Sequence, residues 1–72
     1  MRILLTEDNF IVGKSIKQIL ENKKYLVDWV QDGESCETAL RTTNFDMIIL
    51  KLTSIFLRKI AISYYKIMNL QT

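Results

Sequence analysis

A chain of 72 residues, 49% hydrophobic and with a net charge of +2, is bounded to one small domain. Its single cysteine, Cys36, excludes an internal disulfide, and the absence of histidine excludes zinc–imidazole sites, histidine acid–base catalysis and Ser–His or Cys–His pairs. The charge is too small to mark a nucleic-acid partner, but it is unevenly placed: all eight acidic residues stand at or before Asp46, and residues 47–72 hold Lys51, Arg58, Lys59 and Lys66 with no acid.

Arg2-Ile3-Leu4-Leu5-Thr6 is a short apolar run that reads as a buried strand, far too brief for a signal peptide. Asn9 is a good N-cap for a helix from Phe10, with Val12, Ile16, Ile19 and Leu20 on one face, closed by Asn22-Lys23-Lys24. Residues 25–30 read as a second strand in which Asp28 interrupts Leu26, Val27, Trp29 and Val30. Asp32-Gly33 signals a turn, and Asp32 caps a short helix over 34–42 with Cys36, Ala39 and Leu40 on its apolar stripe. Cys36 and Trp29 read as packing residues rather than a redox centre and a ligand platform. Residues 45–50 form the third strand, and the run Met47-Ile48-Ile49-Leu50 implies burial on both faces.

Strand, helix, strand, helix, strand with short loops means parallel pairing and right-handed crossovers. Ligands of such sheets gather at the carboxyl ends of the strands. Two ends are identifiable: Glu7-Asp8 after the first strand and Lys51 after the third. Two adjacent carboxylates there call for a cation, and Mg²⁺ is the usual one; the plain reading is a pair of solvated residues at a helix start.

In this order the residues resemble a bacterial family. "MRILLTEDN", the Asp-Gly turn, "AL" and "FDMIIL" are similar to the first part of a two-component response-regulator receiver domain of the winged-helix transcriptional subfamily, over residues 1–50. The resemblance implies an α/β, truncated flavodoxin-like βαβαβ unit with three parallel strands in order 2-1-3, a sensor histidine kinase as partner and a cytoplasmic place of work. It puts the Mg²⁺-holding acidic pair on Glu7 and Asp8 and the phospho-acceptor aspartate at position 51, which here is Lys51. The Ser/Thr switch, the phosphoryl-gripping lysine, the last two strands and a DNA-binding domain have no counterpart.

The implied outcome is a pseudo-receiver that is not an enzyme and does not accept a phosphoryl group, with no residue in a catalytic role and a vestigial Mg²⁺ site at Glu7 and Asp8 that Lys51 opposes. Alternatively, Lys51 imitates the ion and fixes an active state. The chain divides into a partial receiver over 1–51 and a divergent tail over 52–72. Leu52, Ile55, Phe56, Ile60, Tyr64, Ile67 and Met68 can share one face of a helix packed on the sheet, although the Ile and Tyr content equally suits strands. The composition of the tail also fits an out-of-frame reading of an AT-rich gene from near codon 51. A basic amphipathic tail offers a second function, binding a membrane surface or another partner without phosphate. The open edge of the third strand invites self-association unless the tail covers it.

Overall fold

The computed structural model describes residues 1–56 and 60–70. In chain order they form β1 (Arg2–Thr6), α1 (Phe10–Asn22), β2 (Leu26–Val30), α2 (Gly33–Thr42), β3 (Met47–Phe56) and β4 (Ile60–Asn69). The sheet order is β2-β1-β3-β4. The first three strands are parallel and have the flavodoxin-like order 2-1-3, with Leu5 level with Trp29 on one side and Ile49 on the other.

Local chemistry sets the helix ends. The Asn9 side chain accepts from the Val12 N–H at 3.1 Å, and Asp32 accepts from the Ser35 N–H at 2.7 Å. The Ser35 hydrogen bonds hold the Asp32 carboxyl below the usual carboxylate range. At the end of α1, Lys24 takes a left-handed conformation (φ 71°), and the N–H groups of Lys24 and Tyr25 return to the carbonyls of Glu21 and Leu20. This pairing closes the helix C-terminus, with lysine where glycine is usual.

The core lies on the α2 face of the sheet. Leu4, Cys36, Phe45 and Ile48 form its centre, and Val30, Ala39, Leu50 and Met68 pack against it. Cys36 is thus the small core residue its position implies. Phe45 precedes β3 rather than opening it, yet it is buried. On the other face α1 approaches through Gly13, whose Cα lies so near the Trp29 indole that a Cβ would fall 2.1 Å from Cζ2. That approach sets the helix rotation: Ile16 and Leu20 are half-buried, whereas Val12 and Ile19, expected on the buried stripe, are exposed. Leu40 likewise turns out from α2. Burial of β3 on both faces is also incomplete. Ile48 is buried, but Met47, Ile49 and Leu50 are only half-buried, because α1 packs over β1 and β2.

The tail departs most from expectation. Where a packing helix over 52–72 is expected, the described residues form strands: β3 runs on to Phe56, and β4 returns antiparallel to it, from Phe56 opposite Ile60 to Met47 opposite Asn69. The physical reason is the edge of β3. An apolar strand with one unpaired row of N–H and C=O groups gains a full ladder from an adjacent β-branched and aromatic segment, whereas a docked helix would leave that row unsatisfied. Met68 then adds to the core from β4. The β3 edge expected to invite a second chain is thereby taken by the tail. Arg58 and Lys59, and the side chains of Ile55, Phe56 and Ile60, lie outside the described residues.

Candidate functional site at the carboxyl ends of the strands

Glu7 follows β1 directly, and its N–H donates to the Val30 carbonyl at 3.0 Å, which ties the strand end to β2. The Trp29 indole N–H donates to the Glu7 carbonyl at 3.0 Å, so the residue packed on Gly13 also fixes this turn. The outcome is a carboxylate with 1% of its surface exposed. Asp8, one residue on, is on the surface.

A buried carboxylate needs compensation, since its charge is costly away from water. Here three donors converge. The Lys51 Nζ stands 3.1 Å from Glu7 Oε2 and the Asn9 N–H donates to the same oxygen at 3.3 Å. The Tyr65 hydroxyl donates to Oε1. Lys51 also reaches Asp8 Oδ1 at 2.9 Å. Lys51 and Tyr65 are directly opposite each other across β3 and β4, so a single cross-strand pair delivers both groups.

The electrostatics follow this geometry. The Lys51 ammonium, hydrogen-bonded by Asp8 and Glu7, has its pKa pushed up to about 12. The same hydrogen bond, with help from Glu7, holds the Asp8 carboxyl below its ordinary value. The hydrogen bond to Glu7 and partial burial raise the Tyr65 phenol.

The sequence-derived residues Glu7, Asp8 and Lys51 do therefore meet. Tyr65 and Trp29 belong to the site as well. Nothing in local motif or spacing marks Tyr65, because its place depends on the β3–β4 register. Trp29 is a packing residue, as expected, with an added hydrogen bond to the site.

Two carboxylates sharing one ammonium are a poor donor set for a divalent ion. Mg²⁺ takes an octahedral set of oxygens at roughly 2.0–2.1 Å, and the position of a third oxygen ligand holds a positive charge. Among the described residues no group of three or more Asp, Glu, Cys or His side chains is placed to hold a metal. The residues present do not fit the ion. An ammonium clamped by two carboxylates can neutralise and tether; it cannot serve as a nucleophile while protonated. At the far end of the sheet Arg2 makes a separate ion pair with Asp28 at 2.8 Å and lies over the Phe45 ring.

Among the described residues no helix is long and apolar enough to cross a membrane. No family model and no solved structure matches the chain. Curated proteins do. The chain is 42% identical over 52 residues to response regulator protein PmrA of Pseudomonas aeruginosa, covering 72% of this chain and 24% of that protein. It is 42% identical over 53 residues to transcriptional regulatory protein QseB of Escherichia coli O157:H7, covering 74% of this chain and 24% of the relative. A shorter match, 58% identical over 33 residues, is to response regulator RppA of Synechocystis, covering 46% and 14%. The chain spans about a quarter or less of the length of these relatives.

Proposed function

From a chain whose homologues are response regulators, and which matches the amino-terminal receiver fragment of such proteins, we propose a two-component signalling module that does not take up a phosphoryl group. One observation carries the reading: the Lys51 Nζ lies within 3.1 Å of Glu7 and 2.9 Å of Asp8, at the strand end where an acceptor carboxylate would be needed. With its pKa at about 12, Lys51 leaves on the order of one amine in 10⁵ unprotonated at pH 7. Its carboxylate neighbours are committed to that charge.

The module is non-enzymatic, works in the cytoplasm and engages a sensor histidine kinase without turnover. Phe10, Ile11 and Ile19 of α1 remain exposed for such a contact. Any Mg²⁺ at Glu7 and Asp8 binds weakly against Lys51. A second reading, partner binding through the tail alone, draws on the exposed Tyr64, Lys66, Ile67 and Leu70 of the β4 region. Pull-down of a kinase that depends on residues 10–22 separates the first from the second, which depends on 52–72.

The direct test is incubation with acetyl phosphate and Mg²⁺, read by intact mass, for the chain and for Lys51→Asp. A gain of about 80 Da, one phosphoryl group, on Lys51→Asp alone supports the reading. The same gain on the unaltered chain refutes it.

A further inference from the structure

We propose that Lys51 and Tyr65 form an internal plug that replaces a divalent cation at Glu7, so that cation binding and the docking of β4 on the site exclude each other. The proposal deepens the functional reading above, but it stands on a different observable.

Both oxygens of Glu7 are engaged. Oε2 accepts from Lys51 and from the Asn9 N–H, and Oε1 accepts from Tyr65. Glu7 is buried, whereas Asp8 is exposed. An ion held at Glu7, directly or through one of the waters that Mg²⁺ keeps, must take a Glu7 oxygen as its partner. On the Oε2 side it meets an ammonium at hydrogen-bond distance, and the like charges repel. On the Oε1 side it must displace the Tyr65 hydroxyl.

The two plugging groups are not independent. Lys51 and Tyr65 are opposite each other in the β3–β4 ladder, so both are held in place by the same hairpin. Tyr65 ties β4 to the carboxyl end of β1, and breaking that hydrogen bond releases the site side of β4 from Glu7. An ion that gains Glu7 therefore weakens this clasp, and a tight clasp keeps the ion out. Lys51 supplies one positive charge where a metal would supply two, while Tyr65 supplies the closure.

The test uses the full chain, Lys51→Met, and Lys51→Met combined with Tyr65→Phe, titrated with MgCl₂ and MnCl₂. Binding is read by Trp29 fluorescence, which senses Glu7 through the indole hydrogen bond, and by the shift of the thermal midpoint. The unaltered chain is expected to show no saturable response at millimolar ion. Lys51→Met gains one, and adding Tyr65→Phe tightens it about tenfold, the worth of one hydrogen bond released from Glu7. Glu7→Gln in the double variant abolishes it. Saturable binding by the unaltered chain overturns the proposal, and so does a double variant that binds no tighter than Lys51→Met. If Lys51→Met does not fold, Lys51→Gln, which keeps a donor and loses the charge, is read in the same way. Phosphoryl label on the unaltered chain would defeat the functional reading yet leave the cation result standing.

Discussion

Replacing Gly13 by alanine places one methyl group where α1 meets the sheet. Its carbon would stand 2.1 Å from Trp29 Cζ2, 2.3 Å from Cε2 and 2.7 Å from Nε1, so the indole or the helix must move. Helix propensity favours the change by about 1 kcal/mol. Overpacking opposes it by roughly 1–3 kcal/mol. If the indole swings away, the hydrogen bond to the Glu7 carbonyl is lost, at about 1 kcal/mol, together with the tilted Phe10–Trp29 contact, whose centroids are 5.5 Å apart, at roughly 0.5–1.5 kcal/mol. With all four terms acting, the net expectation is a loss of about 1.5–4.5 kcal/mol. In a domain of this size that lowers the thermal midpoint by roughly 4–8 °C per kcal/mol. Urea unfolding followed by Trp29 emission measures both the loss and the displaced indole. In a Trp29→Leu background the clash is absent, and Gly13→Ala turns neutral or stabilising; the difference between the two backgrounds is the coupling. Equal or higher stability of Gly13→Ala with unchanged Trp29 emission would refute the argument that the indole sets the rotation of α1.

Three further outcomes are expected. Thr6 Oγ1 is buried and finds no hydrogen-bond partner among the described residues, so the near-isosteric Thr6→Val should stabilise by about 1 kcal/mol in chemical denaturation. Lys24→Gly removes a side chain from a left-handed position at φ 71° and should stabilise by about 0.5 kcal/mol after the entropy of the unfolded glycine is counted, seen as a slightly higher thermal midpoint. The pH dependence has a fixed sign. The folded-state pKa of Lys51 is raised from 10.5 to about 12, so its contribution to stability is complete below 10.5 and is lost as pH rises through 12. The lowered Asp8 value acts oppositely, complete above 3.8 and lost as pH falls further. Urea midpoints across pH should therefore fall at both extremes, and Lys51→Met should flatten the alkaline limb; an unchanged limb would argue that the ion pair does not persist in solution.

The first five elements were readable because several signals agreed at each one. Asn9 and Asp32 cap the helices, the apolar runs at 2–6 and 45–50 are short and bounded, and parallel order follows from alternation. Glu7, Asp8 and Lys51 were readable as a site because strand ends converge whatever the side chains are. The tail was not. Ile, Tyr and Lys without Gly or Pro fit either period, and only the unpaired edge of β3 decides for a strand. Tyr65 was hidden by the same gap, since its contact with Glu7 exists only once the register places it opposite Lys51. Val12 and Ile19 were misplaced because the closest approach of α1 is made by a glycine, which carries no hydropathy signal.

The pairing of β3 with β4 also bears on how the chain reaches its fold. The parallel pairs of β1 with β2 and β3 close only after long intervening segments have been ordered, whereas β3 and β4 are neighbours in sequence and pair positions as near as Phe56 and Ile60. Local antiparallel ribbons form in roughly 1–10 μs, and non-local parallel pairing is slower. Among the described ladders β3–β4 thus has the lowest contact order, and β3 can be half-paired before β1 finds it. Substitutions in β4 should then slow folding more than substitutions in β2, which would mark the β3–β4 ladder as the nucleus on which β1 and β2 assemble.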